Sequence, residues 1–176
     1  MTRTSAIPDD ARGATTVRDA TSSDATAIAW IYNHYIRETV VTFEEEPVSD
    51  AEIARRIEKV RSASLPWLVA ELDGRVVGYA YAGPWHARSA YRFSVEVTVY
   101  LDAARVGRGI GSKLYDALFP LLRARRVHAV IGGIALPNEA SVALHERFGL
   151  RKVAHFAEVG FKFGRWIDVG YWQRNL

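Results

Sequence analysis

The chain has 176 residues, of which 49% are hydrophobic and 24% are charged, and it contains no cysteine. This length predicts a single domain with its own core, and the lack of cysteine excludes disulfides, thiol chemistry and thiolate zinc sites. No apolar stretch is long enough to cross a membrane as a helix, so we expect a cytoplasmic protein without a membrane partner.

The net charge of +3 is too small to indicate a nucleic-acid partner by itself. The densest basic run, from Arg123 to Arg126, is typical of a helix C-terminus, whose dipole favours cations; a phosphate-binding patch is the less favoured alternative. No two of the five histidines stand at helical metal-ligand spacing with a carboxylate between them. We therefore expect neither a metal nor a nucleic-acid partner.

The polar N-terminal segment, MTRTSAIPDDARG, lacks the apolar core of a signal peptide. We expect a flexible extension over residues 1–14 and one domain over residues 15–176. The domain begins with a short strand, TTVRDA, and two helices follow it. Capping-box patterns at Thr21–Asp24 and Ser49–Glu52 mark the helix starts, and apolar residues at helical spacing follow each box.

Three strands are predicted next. Two of them, WLVAEL and RVVGYAYA, flank Asp73-Gly74, which is a strong signal for a tight hairpin. The third, RFSVEVTVYL, alternates cleanly. Its valines therefore face one way, whereas Glu96 lies on the polar face between Ser94 and Thr98.

The second half alternates strands with helices, which favours an α/β fold. A glycine-rich turn leads into a helix that Pro120 is expected to kink or break. The strand VHAVIGGIAL precedes a short helix that starts at Asn138, reaches Phe148 and stops at Gly149. Two further strands complete the chain, near Arg151–Val159 and Asp168–Arg174.

The glycine-rich turn is a candidate phosphate site. Glycine lets the backbone approach a ligand closely, and a helix start presents unpaired amides at the positive end of the dipole. Arg108 adds a positive charge beside Gly107, Gly109 and Gly111. The spacing is neither that of a P-loop nor that of a dinucleotide-binding fingerprint. Taken alone, the turn fits a flexible helix entry equally well.

The motifs together resemble the GCN5-related N-acetyltransferase superfamily, whose turn at this junction reads Gln/Arg-x-x-Gly-x-Gly/Ala. The matching stretch is VGRGIG, in which Val106 replaces the usual Gln or Arg. From Val17 to Gln173 the chain is similar to the phosphinothricin N-acetyltransferase group, with its relatives that acetylate methionine sulfoximine or sulfone. The motifs that carry this likeness are NHYI with TFEEEP, YAGPWHARSAY, VEVTVYL, LPNEASVALHERFGL and GFKFGRWIDVGYWQ.

The resemblance implies a single-domain α/β fold with a mixed central sheet, splayed at the coenzyme site and flanked by helices. It also implies acetyl-CoA as co-substrate with no metal, a small amine as acceptor and a homodimer. The residues that it assigns to the coenzyme are Val99, Tyr100, Leu101, Gly107, Arg108, Gly109, Ile110, Gly111, Ser112, Asn138 and Ser141.

Two residues are candidates for the chemistry. An acceptor amine must lose a proton to attack a thioester, and a partly buried carboxylate suits this task because burial raises its pKa. Glu96 falls on the group's catalytic base, although a solvent-exposed strand residue or an ion pair with Arg92 would also explain it. His145 replaces the tyrosine that protonates the leaving thiolate; it could serve as an acid or only pack.

Four residues are candidates for the acceptor side. An arginine binds carboxylate or phosphinate groups bidentately, which makes Arg88 a candidate for the anionic end of an amino-acid analogue. The resemblance places Phe43 as an aromatic wall of the pocket, with Tyr91 and Thr98 nearby, and an exposed loop cation and packing aromatics are the alternatives. The group often carries lysine where this chain has His86.

Two other functions compete with this hypothesis. An acetyltransferase for a polyamine or a protein N-terminus would need an open, acidic groove, and Arg88 argues against it. A non-catalytic acyl-CoA sensor would not need Glu96. A nucleic-acid module would need a basic stripe interleaved with aromatics, which the sequence lacks.

Overall fold

A seven-stranded sheet forms the centre of the structure, a computed structural model that describes residues 14–176. Its strands lie in the order β1-β2-β3-β4-β5-β7-β6, and β4 and β5 are its only parallel neighbours within the described residues. The strands are β1 (Thr16–Asp19), β2 (Trp67–Leu72), β3 (Arg75–Pro84), β4 (Ser94–Leu101), β5 (Ala129–Leu136), β6 (Arg151–Lys162) and β7 (Arg165–Asn175). The expected flexible extension, residues 1–14, lies almost wholly outside the described residues.

Helices cover both faces of this sheet, as predicted. They are α1 (Ala25–Glu38), α2 (Asp50–Ser62), α3 (Ile110–Ala124) and α4 (Glu139–Arg147). The first two pack on one face in a core with Trp67 and Tyr79, and the other two pack on the opposite face in a core that includes Val95 and Val97. Across residues 14–176, no helix combines the length and the apolar character needed to cross a membrane.

The alternation predicted for β4 is confirmed. Val95 and Val97 are buried on the α3 side. Tyr100 points to the other face, where its ring centre lies 5.1 Å from that of Tyr32 and 5.0 Å from that of Tyr35 in α1. Because side chains alternate along a strand, Glu96 faces the same side as Tyr100.

The turn and cap signals are also confirmed. Asp73 and Gly74 adopt φ values of 51° and 73°, which is the backbone of a type I′ hairpin between β2 and β3. The Ser49 hydroxyl accepts a hydrogen bond of 3.1 Å from the Glu52 N–H at the start of α2. The first box introduces a single 3₁₀ turn, so α1 begins one turn later, at Ala25.

The expected break at Pro120 is not observed, because α3 continues through it to Ala124. Proline removes one backbone N–H, which leaves the carbonyl of Asp116 without its helical partner. Both residues lie on the exposed side of α3, where water can bind that carbonyl. The buried leucines on the opposite side, such as Leu118 and Leu122, hold the helix against the sheet.

The last two strands are longer than predicted. They form one continuous hairpin, which turns at Phe163 and Gly164 with φ values of 51° and 71°. Large apolar side chains on this hairpin are exposed. The pattern of polar and apolar residues in the sequence therefore does not mark where the two strands end. They are Val153, Phe156, Val159, Phe161, Phe163 and Trp166.

Candidate active site

The two parallel strands separate beyond their first residues. β4 and β5 pair only from Ser94 to Glu96 and from Ala129 to Ile131, although both strands run on for five more residues. Past this point the facing edges diverge and leave a gap in the middle of the sheet. The splayed sheet that the family resemblance implied is therefore present, and Glu96 stands where the gap begins.

A cavity of about 420 Å³ passes through this gap. On one side it is lined by Val41 and Thr42, which follow α1, and by Tyr35. On the other side it is lined by residues of α4, among them Ser141 and His145. The cavity thus joins the two faces of the sheet, so that two ligands could enter from opposite sides and meet beside Glu96.

The glycine-rich turn lies between the end of β4 and α3. Gly107 and Gly109 have φ values of 81° and 75°, and a Cβ atom on either would meet no other atom within 4 Å. Their backbone is therefore open to a ligand, and the first N–H groups of α3 have no helical acceptor. Gly111 differs, because its Cα faces Leu144 of α4, 3.1 Å from where a Cβ would stand. The lack of a side chain at Gly111 lets α3 pack closely against Leu144 of α4, and the Gly111 N–H belongs to the first turn of α3.

Glu96 has the environment that a general base needs. Burial raises the pKa of its carboxyl group, and the positive charge of His86 acts in the opposite direction. Within residues 14–176 no side chain forms a hydrogen bond or ion pair with this carboxylate. Arg92, the alternative partner, instead donates to the Ser89 carbonyl at 3.2 Å and lies over the Phe93 ring.

The carboxylate of Glu96 faces Tyr171 of β7 across Gly133 of β5. A Cβ on Gly133 would stand 3.0 Å from Glu96 Oε1 and 3.1 Å from Tyr171 Cε1. Burial, with the charge of Glu96, raises the pKa of the Tyr171 hydroxyl, so the phenol stays neutral. Glycine at this position keeps a space open between the carboxylate and the ring.

Asn138 and His145 place α4 against the cavity. Asn138 is the N-cap of α4, and its Oδ1 accepts a hydrogen bond of 3.1 Å from the Ser141 N–H, which confirms the cap role. Its amide NH₂ has no partner in the described part of the chain, and the residue lines the cavity. His145 is buried, and its Nδ1 lies 2.7 Å from the Ser141 carbonyl oxygen and its Nε2 3.1 Å from the Tyr115 hydroxyl.

These contacts define the protonation of His145. A carbonyl only accepts, so Nδ1 carries the proton and Nε2 accepts from the Tyr115 hydroxyl. Burial lowers the pKa of the imidazole, although the bond to Ser141 partly opposes this effect. A neutral ring with both nitrogens engaged is a weak proton donor. No motif in the sequence indicated Tyr115 as its partner.

Comparison with known proteins identifies the fold and its chemistry. The pattern of the acetyltransferase (GNAT) domain matches residues 17–170, most of the chain. The chain belongs to this acetyltransferase family. It is therefore an acyltransferase, as the sequence motifs indicated.

Two curated relatives and one solved structure place the acetyltransferase among its neighbours. It is 42% identical to a phosphinothricin N-acetyltransferase of Streptomyces viridochromogenes over 91% of this chain and 87% of the relative. It is 35% identical to an L-methionine sulfoximine/L-methionine sulfone acetyltransferase of Salmonella typhimurium, over 92% and 94%. A phosphinothricin acetyltransferase of Sinorhizobium meliloti in complex with acetyl-CoA superposes with a TM-score of 0.89 at 37% identity, covering 92% of this chain and 88% of that one.

The structure gathers many of the residues that the sequence assigned to the acetyltransferase site. The cavity is lined by Glu96, Thr98, Val99, Tyr100, Leu101, Asn138, Ser141 and His145. Val106, the departure from the family turn, is half exposed and also lines it. The predicted turn residues that follow Val106 in the chain do not line the cavity: Gly107, Arg108, Gly109, Ile110, Gly111 and Ser112.

Three predicted acceptor residues do not line this cavity. Phe43 is 41% exposed and packs on the backbone of Gly160 in β6. Arg88 is exposed on the loop before β4, and its guanidinium has no hydrogen bond or ion pair within residues 14–176. Tyr91 follows it, with its ring edge toward His86 at a centroid distance of 4.9 Å.

Sequence reasoning missed Gly133, Tyr171 and Trp85. The ring of Trp85 meets His86 on one side and Tyr171 on the other, with centroids 4.8 and 5.6 Å apart. A run of aromatic contacts therefore leads from the Arg88 loop to the ring beside Glu96. The motifs that contain Trp85 and Tyr171 were recognised, but only the pairing of β5 with β7 places Tyr171 opposite Gly133.

Proposed function

We propose that this acetyltransferase transfers the acetyl group of acetyl-CoA to the α-amine of a small amino-acid analogue, such as phosphinothricin or methionine sulfoximine or sulfone. The observation that carries the proposal is Glu96: a partly buried carboxylate of raised pKa, unpaired among residues 14–176, at the point where β4 and β5 separate. The acceptor class is supported by the relatives named above, whose substrates are amino-acid analogues of this kind.

Glu96 is the general base in this mechanism. It takes the proton of the acceptor ammonium, directly or through one water, and the neutral amine then attacks the thioester carbon. The raised pKa brings the carboxylate closer to working pH, where it accepts a proton more readily. Nearby, the neutral Tyr171 ring limits the space on the opposite side of Gly133.

The turn and α4 bind the coenzyme from the other face of the sheet. We assign its pyrophosphate to the open backbone from Gly107 to Ser112, beside Arg108. The pantetheine arm would follow the unpaired edge of β4 from Leu101 to Val99, with the free amide of Asn138 beside it. A solved relative that binds acetyl-CoA with the same fold supports this assignment.

The departing thiolate needs a proton, for which His145 is the predicted donor. Its lowered pKa and its two occupied nitrogens favour a smaller part, in which it holds the start of α4 through Ser141. We assign it a supporting role, with solvent as the other source of the proton.

Arg88 binds the anionic end of the acceptor in this proposal. Its guanidinium is exposed and unpaired among the described residues, and a fork of donors fixes a carboxylate better than an ammonium does. Phe43, Tyr91 and Thr98 complete the acceptor side. The aromatic contacts from Tyr91 through His86 and Trp85 to Tyr171 connect the Arg88 loop with the ring beside Glu96.

The test is a comparison of acceptors. Catalytic efficiency is measured for phosphinothricin, methionine sulfoximine, their decarboxylated amines and a polyamine, with the wild type, Arg88→Lys and Arg88→Ala. We expect the amino-acid analogues to react best and the two variants to lose acceptor efficiency progressively while keeping acetyl-CoA affinity. Preference for the polyamine, or equal rates without the carboxylate, would refute the substrate and leave the acetyltransferase activity intact.

A homodimer is the proposed assembly. Support comes from the number of large apolar side chains exposed on the β6–β7 hairpin, since exposed apolar surface often marks an interface. Light scattering on the wild type and on Trp166→Lys tests it. A monomeric wild type would contradict the proposal.

A further inference from the structure

Lys162 is buried where its neighbours are exposed. It is the last residue of β6, and only 2% of its surface is accessible, whereas Phe161 and Phe163 on either side are 53% and 58% exposed. Burying an ammonium group costs free energy unless its donors are satisfied. Lys162 therefore lies at a buried position of the strand, where an apolar residue is usual. Its contacts indicate why a lysine is tolerated there.

The ammonium of Lys162 joins the tip of the hairpin to the segment after α1. Its Nζ donates a hydrogen bond of 2.8 Å to the carbonyl oxygen of Thr42, and burial lowers its pKa, opposed by Glu45 and Glu44. Two residues earlier in β6, Gly160 lies against the Phe43 ring so closely that a methyl group there would overlap it. Two neighbouring contacts thus fasten β6 to residues 42 and 43.

The rest of this segment is fixed by the body of the domain. The Thr42 hydroxyl lies 2.7 Å from the Tyr32 hydroxyl, which donates to Glu44 at 3.1 Å. Arg56 of α2 binds the same carboxylate, with Nη1 2.7 Å from Glu44 Oε1. Thr42 is therefore held between α1 on one side and the hairpin on the other.

Thr42 also belongs to the site. With Val41 it lines the cavity on the side that Glu96 faces, opposite the glycine-rich turn. A shift of the Thr42 backbone would change the distance between this wall and Glu96. It would leave the coenzyme side, formed by α3 and α4, where it is.

We propose that Lys162 is a positioning residue for the acceptor: it fixes the backbone of Thr42, and with it the wall of the acceptor pocket, to the β6–β7 hairpin. The expected effect on acceptor kinetics rests on the proposed function, in which the acceptor amine binds beside Glu96. Loss of the ammonium lets residues 39–46 move away from β6, and the acceptor amine is then held less closely beside Glu96. Lys162 touches neither reactant, so its effect passes through Thr42.

Kinetics of three variants test the role. Lys162→Met keeps the apolar stem and removes the donor, Gly160→Ala displaces Phe43 at the second contact, and Lys152→Met is the control on the same strand, where Lys152 is exposed. We expect catalytic efficiency for the best wild-type acceptor to fall roughly 10- to 100-fold in the first two. Acetyl-CoA affinity by calorimetry should stay near wild type in all three. Acceptor kinetics of Lys162→Met that match those of Lys152→Met would overturn the proposal.

Hydrogen exchange gives a readout that needs no activity. Lys162→Met should speed amide exchange in residues 39–46 and leave residues 107–112 unchanged, and Gly160→Ala should do the same if Lys162→Met fails to fold. Unchanged exchange in residues 39–46 would refute the positioning role. A wild type that acetylates no amino-acid analogue would refute the proposed acceptor class alone, because exchange and the efficiency for any other acceptor still test Lys162.

Discussion

Glu96 and Tyr171 lie on opposite sides of Gly133, each close enough to touch a side chain placed there. The three residues come from β4, β7 and β5, so the sheet brings together a carboxylate, a ring and a vacant position between them. The space belongs to the face on which Glu96 receives the acceptor in our proposal. A side chain at position 133 would fill this space and disturb the site without changing a charge.

Gly133→Ala should impair acetyl transfer. The new methyl carbon would lie 3.0 Å from Glu96 Oε1 and 3.1 Å from Tyr171 Cε1, both closer than ordinary contacts. Displacing the base should lower catalytic efficiency roughly 10- to 100-fold. Gly83→Ala is a matched control, because Gly83 pairs with Glu96 from β3 and a Cβ there meets nothing within 4 Å. Equal activity of the two folded variants, measured by steady-state kinetics, would contradict the assignment.

Glu96→Gln should keep the shape of the site and remove the base. We expect turnover to fall by roughly 10² to 10⁴ with little change in acetyl-CoA affinity. In the wild type the base works only when ionised, and burial raises its pKa above 4.5, so activity should rise with pH through that raised value. The variant should lack this acidic limb. Near-wild-type turnover of Glu96→Gln from pH 6 to 9 would exclude Glu96 as the base.

His86→Ala should move the acidic limb of the pH profile. A positive charge at His86 lowers the pKa of Glu96, against the larger effect of burial. Its removal should raise that pKa and shift the limb to higher pH, whereas His86→Lys keeps a cation and should not. Profiles of kcat/KM for the acceptor measure the shift. A limb that stays in place in both variants would show that His86 does not act on the base.

Gly109→Val should weaken coenzyme binding. Gly109 has a φ of 75°, and its open backbone lies at the start of α3, so the valine side chain would occupy the space that we assign to the pyrophosphate. Gly74→Val is the control, because Gly74 has a φ of 73° in the β2–β3 hairpin, outside the glycine-rich turn, and should suffer a similar strain of about 1–2 kcal/mol. Calorimetry should show lost acetyl-CoA affinity for Gly109→Val alone.

Tyr115→Phe should lower the free energy of unfolding and have a smaller effect on turnover. The variant leaves Nε2 of the buried His145 without a donor, which should cost about 1–3 kcal/mol in the free energy of unfolding. Urea titration measures this loss.

His145→Ala should lower turnover less than Glu96→Gln does, because solvent can protonate the thiolate. A larger loss in His145→Ala would restore His145 as the principal acid.

The sequence by itself determined the elements and the family. Strand alternation placed Glu96 on the face opposite Val95 and Val97, and Asp73-Gly74 specified its hairpin. Such features depend on neighbours along the chain, so a local pattern is enough to predict them. The motifs around Glu96 and the glycine-rich turn then identified an acetyltransferase, which the family match confirmed.

Only the tertiary structure decided which distant residues meet. Tyr171 reaches the site because β7 inserts between β5 and β6 in the sheet, and Lys162 meets Thr42 although 120 positions separate them. Burial among helices and strands lowers the pKa of His145, and Tyr115 and Ser141 engage its two nitrogens. These outcomes depend on packing between strands and helices that are far apart in sequence, and burial then set the pKa values of Glu96 and His145 in opposite directions.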